Sequence, residues 1–430
     1  MKNDLKSASL AQASHSPQID RVVVVNDSTI ARGGASALAM LSARMLRKRG
    51  IPVTYFAGDQ GDADGALLAD GVDSFGLGDV ALMKNSKAGA LTRGLFNFKA
   101  HEAIREWIRV NDTPRTVYHV HGWQQILSPA VFAALRPVAD RTLLHAHDYF
   151  LVCPNGGQMN YATDTECTLR PMSARCITTN CDKRNFGHKV WRVGRQAIRN
   201  SFSDLGAKNV KVALIQQGMS AAFERAGVPA SNLVSIPNPC VPFSDVRVPA
   251  ESNSEFQFVG RVVAEKGIEE FLAAARVAKA PVRVLGDGPL RESLAIKYPE
   301  AVFEGWCGRE RLAELVPKAR MLVMPSLYPE PFGLVIPEAV SSGVPVIVSE
   351  SALLAREVVD HRLGFAVDPK DGTGFARLLA SCMSEDDLIG EMSHRGFSES
   401  NSMSMRPDQW TSELINNYGR LAGMTEMVSQ

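Results

Sequence analysis

Long apolar runs are the first thing missing from this sequence of 430 residues: none approaches the roughly 20 residues that a membrane-spanning helix needs. The stretch from Met1 to Ile19 holds no apolar signal core, so residues 1–19 are expected to be a disordered lead-in to a cytoplasmic protein. A strong overall charge is absent as well. The net charge is +1, with 45% apolar and 22% charged residues, the composition of a soluble globular protein. A nucleic-acid partner is not expected. No G-x-G-x-x-G follows the first apolar strand, which argues against a dinucleotide site there. The cysteines show no paired C-x2-C knuckles.

What is present fills two ordinary domains, each with its own core. The charge is unevenly shared between them. Residues 1–240 hold 28 Lys/Arg against 19 Asp/Glu, and the remainder holds 19 against 27. A basic first half and an acidic second half attract each other across a cleft, and the basic half also suits anionic partners such as lipid phosphates. Ordinary surface variation is the competing reading.

The chain is organised around Pro325-Ser326-Leu327-Tyr328-Pro329-Glu330-Pro331-Phe332-Gly333-Leu334-Val335-Ile336-Pro337-Glu338-Ala339. The apolar run Met321–Met324 before it reads as a buried strand, and Leu334 to Ser342 behind Gly333 reads as a helix, with Pro337 tolerated in its first turn. A strand, a tight loop and a helix aim free backbone N–H groups at whatever fills the loop, which suits a phosphate. Glu330 and Glu338 flank that seat, and each carboxylate can accept two hydrogen bonds from a vicinal diol. Spacing alone is weak, because a Glu near a helix N-terminus is favoured whatever it binds. Two further strand-to-helix loops strengthen it. Gly260-Arg261 to Lys266-Gly267 carries two cations, and Gly286-Asp287-Gly288-Pro289-Leu290 carries two glycines that would let a ligand approach the backbone.

Taken together, G-R-x4-K-G, G-D-G-P-L, P-S-x3-E-P-F-G-L-x3-E-A and S-G-x-P-V-I resemble the retaining glycosyltransferases of family four. The resemblance is dense over about residues 255–370. It implies an α/β protein of GT-B architecture, two doubly wound Rossmann-like domains facing across a cleft. It also implies hexosyl transfer from a nucleotide-diphosphate sugar to a hydroxyl acceptor, a glycan or a lipid-linked glycan in surface polysaccharide synthesis, with no cofactor required for catalysis. By resemblance, Arg261 and Lys266 grip the donor diphosphate, Glu330 contacts the donor sugar and Glu338 binds the ribose. Gly286, Phe332, Gly333, Leu334 and Val335 complete the donor site, and Gly33 and Gly34 line it from the first domain. Many members carry a Gly-Gly pair after the next strand. This chain has Glu350-Ser351-Ala352-Leu353-Leu354-Ala355-Arg356-Glu357, which keeps only the acidic position at Glu357. A sugar-phosphate enzyme of the same fold, a phosphorylase or an epimerase, is an open alternative. So is a non-catalytic subunit, which would be expected to lose the cations or Glu338; this chain keeps them.

The expected organisation is an N-terminal acceptor-side domain over 20–238, a Pro- and Ser-rich linker over 239–254, a nucleotide-sugar domain over 255–404 and a helix within 405–430 that crosses back to the first domain. Arg21–Asn26 is a continuous apolar strand, and Ala35 to Arg49 is a helix. Asp62-Ala63-Asp64 has the D-x-D form, but in a polar loop without a third ligand it reads as solvated. Val117–Trp123 and Leu143–Tyr149 are twin strand ends, each with two His on one face. Zinc on four imidazoles is conceivable, yet nothing else supplies its geometry. The resemblance points instead to His147 near the reacting carbon, with His121 and Asp148 on the acceptor side; His119 and His145 are read as structural.

The insert at about 150–182 carries Cys153, Cys167, Cys176 and Cys181. Clustered cysteines in a cytosolic chain leave two readings, a structural zinc or four unlinked thiols. Asp182 to Arg199 is a helix with Lys183, Arg184, Lys189, Arg192, Arg195 and Arg199. It reads as a solvated face or as a surface for an anionic acceptor or the inner membrane leaflet.

Overall fold

The structure is a computed structural model that describes residues 19–30, 33–399 and 403–423. The expected lead-in lies outside the described residues except for Ile19, which is buried. Among the described residues no helix is long and apolar enough to cross a membrane.

The first half of the chain builds nine strands: β1 Arg21–Asn26, β2 Val53–Ala57, β3 Asp73–Gly76, β4 Thr116–Val120, β5 Thr142–Ala146, β6 Met159–Asn160, β7 Thr165–Glu166, β8 Lys211–Leu214 and β9 Leu233–Ser235. Strands β6 and β7 form a separate two-stranded ladder, and the other seven form one sheet in the order β3-β2-β1-β4-β5-β8-β9. All its pairings are parallel. Parallel strands need covered crossovers, so both faces are buried and the central strands are apolar throughout. Val22 to Val25 at the centre of β1 are all buried.

The second half adds β10 Glu255–Val259, β11 Val282–Leu285, β12 Val302–Gly305, β13 Ala319–Met324, β14 Val346–Ser349 and β15 Gly364–Val367. These run in the order β12-β11-β10-β13-β14-β15, again all parallel. The six apolar runs expected between 255 and 367 are these six strands. In both sheets the order reverses beside the first strand, β1 in one and β10 in the other. Ligand crevices of open α/β sheets form outside the carboxyl ends of the strands at such reversals.

Two chain segments tie the sheets together. The linker residue Cys240 donates its N–H to Met405 O at 2.8 Å, and Met405 N–H donates to Asn238 O at 3.3 Å. The helix Pro407–Leu421 then packs on the first sheet. Trp410, Leu414 and Tyr418 are fully buried in one apolar cluster with Val22, Val24, Val117 and Leu143. Their helical spacing, legible in the sequence, is the face that docks.

Candidate functional site

The carboxyl ends of β10, β11 and β13 bring the three loops into direct contact, and glycine makes that contact possible. Gly267 has φ +66°, and a Cβ there would overlap the Pro325 carbonyl. Leu327 N–H donates to Glu265 O at 3.0 Å, which joins the cation loop to the Pro/Gly loop. Val262 N–H donates to Asp287 O at 2.9 Å. Cβ atoms on Gly286 and Gly288 would overlap the carbonyls of Gly260 and Val262. The neighbouring loop of the same chain thus fills the Cβ direction of both glycines, an intramolecular need for glycine that the sequence did not show. Gly267→Ala is therefore expected to cost about 2 kcal/mol or more of stability and to loosen the cation loop. Urea unfolding checks this, and a cost below about 0.5 kcal/mol, the size of a neutral surface change, would show that the loops are not locked together.

Lys266 and Glu330, 64 residues apart in sequence, form an ion pair in this junction. Lys266 Nζ also donates to Tyr328 Oη at 2.9 Å, while Tyr328 Oη donates to Glu330 Oε2 at 2.6 Å and Ser326 Oγ donates to the same oxygen at 3.2 Å. Burial pushes the Glu330 carboxyl up, but Lys266, Tyr328 and Ser326 outweigh it and hold the group below the ordinary value. Glu330 is thus an anion at neutral pH. Arg261 reaches into the open with only Glu265 near it, at 4.0 Å.

Phe332 is buried beneath the turn, and Gly333 takes φ +66° with no room for a Cβ beside Met324 Sδ. The helix that follows spans Val335–Ser341, one residue shorter at each end than expected. The N–H groups of Leu334 and Val335 have no hydrogen-bond partner among the described residues. The first domain reaches this point too. A Cβ on Gly34 would come to 2.9 Å from Leu334 Cδ1, and beside Gly33 there is open space. The loop that lacks the family's glycine pair supports the site from behind: Leu353 N–H donates to Glu330 O at 3.0 Å, and Glu357 Oε1 accepts from Gln216 Nε2 of the first domain at 3.0 Å.

Glu338 has a partner the sequence did not reveal. Arg309 Nη1 lies 2.7 Å from Glu338 Oε1, and the same guanidinium donates to the linker carbonyls of Val241 and Pro242. Burial pushes the Glu338 carboxyl up to about 7, and Arg309 offsets only part of that rise. Nothing around Gly308-Arg309-Glu310 marks Arg309 in sequence, since its role depends on a linker 67 residues away.

The four strand-end histidines form a chain that is buried at His119, His121 and His145 and half-buried at His147. His147 Nε2 is 2.9 Å from His121 Nδ1, His121 Nε2 is 3.1 Å from His119 Nδ1, and His119 Nε2 is 3.0 Å from His145 Nδ1. Tyr418 Oη lies 2.6 Å from His119 Nδ1, so the C-terminal helix anchors the chain. Burial pushes the His147 imidazole down to about 3, and burial with the neighbouring rings lowers the other three as well. All four are neutral at pH 7. His119, His121 and His145 each present a ligand nitrogen within 4.8 Å of the others, a set able to hold a metal ion. Beside His147, burial raises Asp148 to about 6 while Phe150 N–H donates to it at 2.9 Å.

The cysteines do not close into a ligand set. Among the described residues the histidine trio is the group of His, Cys, Asp and Glu side chains with converging ligand atoms, and the thiols are not in it. Lys189 Nζ instead sits 3.2 Å from Cys181 Sγ and 3.7 Å from Cys176 Sγ. Cys153 Sγ donates to Asn155 Oδ1 at 3.1 Å, and burial pushes its thiol up to about 11. The D-x-D pair is also consumed locally, since Asp62 accepts the N–H groups of Leu67 and Leu68.

The basic segment forms the helix Phe186–Phe202, but not with a solvated basic face. Lys189, Arg195 and Arg199 are buried, whereas Phe186 and Val190 are exposed. The reason is tertiary. The insert offers sulfur atoms to Lys189 and the β4 loop offers carbonyl oxygens to Arg195, which donates to Gln124 O at 2.7 Å, while Arg199 donates to Ser203 O just past its own helix.

Two parallel-sheet domains facing across a cleft define a protein of the GT-B fold. Solved structures agree. The chain overlays the Anabaena protein HepE in complex with UDP with a TM-score of 0.63 at 16% identity, covering 93% of this chain and 100% of that one. It overlays the sucrose-phosphate synthase of Thermosynechococcus elongatus with a TM-score of 0.69 at 18% identity, covering 94% and 100%. Likeness at such identities is a likeness of fold. The sequence match is narrower and lies in the second domain. Residues 244–398 match the family described as glycosyl transferases group 1. An uncharacterised glycosyltransferase of Methanocaldococcus jannaschii is 34% identical over 131 residues, which is 28% of this chain and 33% of that protein. The glycogen synthase of Mycobacterium tuberculosis is 29% identical over 155 residues, 34% of this chain and 37% of that protein. The matched stretches thus span about a third of these relatives.

Proposed function

We propose that the chain is a retaining glycosyltransferase that moves a hexosyl group from a nucleotide-diphosphate sugar to a hydroxyl acceptor, a glycan or a lipid-linked glycan. The observation that carries this reading is the Lys266–Glu330–Tyr328 cluster at the meeting point of three strand-to-helix loops, beside the unpartnered N–H groups of Leu334 and Val335. Breaking an anomeric bond builds negative charge on the departing diphosphate. Arg261, Lys266 and those N–H groups supply preorganised positive charge for it, which is usually the largest catalytic contribution. Glu330, held ionised, orients the sugar. Glu338 takes the ribose, and Gly33 leaves space opposite. Neutral His147 faces the reacting carbon, with His121 fixing its ring and Asp148 on the acceptor side. Front-face attack suits this arrangement, with the departing phosphate taking the acceptor's proton. The setting proposed is the cytoplasm, with peripheral contact at the inner membrane face.

Glu338 makes a pH prediction. Its carboxyl must be ionised to accept both ribose hydroxyls, and it titrates at about 7. Donor KM is therefore expected to fall about tenfold between pH 6 and pH 8, with kcat little changed. In Glu338→Gln the KM should be raised and flat with pH; a KM that keeps its pH slope would remove Glu338 from the ribose. Stability runs the other way. The folded carboxyl holds its proton more tightly than the unfolded one, so this group's contribution falls as pH rises from its ordinary 4.5 to about 7.

Thermal unfolding of the full chain against UDP-, GDP-, dTDP- and ADP-sugars, with and without chelator, tests the proposal. A rise in Tm with one nucleotide sugar, unaffected by chelator, is the expected result. No rise with any of them would overturn the transferase reading. Loss of baseline stability on chelation alone would reveal a structural metal, for which His119, His121 and His145 offer the converging ligand atoms.

A further inference from the structure

On the first domain's side of the cleft a cavity of about 690 Å³ lies between the helices Lys87–Leu95 and Phe186–Phe202 and extends to Arg261. That is the size of a small-molecule site. Its lining is of two kinds, and the apolar kind matches no part of a nucleotide sugar. One side is apolar, built from Leu82, Met83, Leu91 and Trp191. The indole is held in place: Trp191 Nε1 donates to Leu91 O at 3.1 Å, and Gly94 lets the helices close, since a Cβ there would come to 2.5 Å from Trp191 Cζ2. Met83 and Leu91 remain largely exposed, so the apolar side runs out of the cavity to the surface.

The other side is cationic. Lys183, Arg184, Arg192, Arg195 and Arg261 line the cavity, and no carboxylate does. Lys183 and Arg192 are paired with Glu265 and Asp182. Among the described residues Arg184 and Arg195 have no carboxylate within ion-pair distance, although Asp27 and Asp148 act on Arg195 from farther away. Arg184 Nη2 meets only Met83 Sδ, at 3.3 Å, and buried Arg195 is served by the carbonyls of Trp123 and Gln124. Guanidinium groups beside apolar walls, not neutralised by direct ion pairs, favour an anion, and their planar donors fit phosphate oxygens.

We infer that this cavity seats the acceptor, and that the acceptor is a lipid-linked phosphate or diphosphate. Its apolar chain lies along Leu82, Met83, Leu91 and Trp191, its anionic group lies on Arg184 and Arg195, and its hydroxyl end points to Arg261 and the donor. The inference rests on the transferase reading and narrows its acceptor.

The test is a calorimetric titration of the full chain with farnesyl diphosphate, farnesol and inorganic pyrophosphate. The donor site is first saturated with whichever nucleoside diphosphate the donor screen selects, so that the probe cannot occupy it. Farnesyl diphosphate is expected to bind at least tenfold more tightly than pyrophosphate or farnesol. Arg184→Glu and Leu91→Asp, both at exposed positions, should each weaken it at least tenfold and leave the donor-induced Tm rise unchanged. Pyrophosphate binding as tightly as farnesyl diphosphate, or variants that bind it as the parent does, would overturn the inference while the donor result stood. A chain that binds the amphiphile but no nucleotide sugar would overturn the acceptor role through the transferase reading itself.

Discussion

Lys266→Ala is expected to lower kcat by about 10²- to 10³-fold, the loss typical of removing one preorganised donor from a site of developing negative charge. Slow hydrolysis of the nucleotide sugar without acceptor is a sufficient assay, because the same bond breaks. The variant should also change how Glu330 titrates. Burial alone raises that carboxyl, and Lys266 is the largest of the groups that bring it back down. With Lys266 gone, the remaining activity should fall toward acidic pH, where the parent enzyme keeps Glu330 ionised. Removing one partner of a largely buried pair leaves the other uncompensated, so a stability loss of up to about 3 kcal/mol accompanies the change. Glu330→Gln in the same chain should recover part of that stability and none of the activity. An unchanged kcat in Lys266→Ala would refute the leaving-group role. Recovery of activity in the double variant would show that the pair is structural only.

Trp410→Ala is expected to cost about 3–5 kcal/mol, the range for truncating a fully buried aromatic side chain. The C-terminal helix is joined to the second domain yet buries Trp410, Leu414 and Tyr418 in the core of the first. The loss should therefore fall on the first sheet's unfolding transition, read by circular dichroism in urea. Tyr418→Phe keeps the ring and removes only the hydroxyl beside His119, and should cost about 1 kcal/mol. It should also slow the enzyme, since His119 supports His121 and through it His147. A Trp410→Ala chain that unfolds like the parent would mean that the helix does not dock as described.

Much of this protein is determined within short windows of its sequence. The six apolar runs after Glu255 become six parallel strands because a β-run of four to six branched and aromatic residues between Gly- and Pro-rich turns has few other stable fates. Gly267 and Gly333 sit where φ is positive, which turn chemistry demands locally. Helical spacing alone shows that Trp410, Leu414 and Tyr418 share a face. The loops that carry Arg261, Lys266 and Glu330 are legible for the same reason, since strand-to-helix turns are local objects.

Only the tertiary structure decided which polar groups meet. That Lys266 closes on Glu330, and that Arg309 reaches from one loop to Glu338 and the linker, depends on pairings far apart in the chain. Charge has no periodicity that names its partner. The helix Phe186–Phe202 shows the limit most clearly: its cations look solvated by composition, yet Lys189, Arg195 and Arg199 turn inward. Burying a charge is costly unless acceptors are already in place, and the acceptors of Lys189 and Arg195 are thiols and carbonyls on other segments, brought together only when the chain folds.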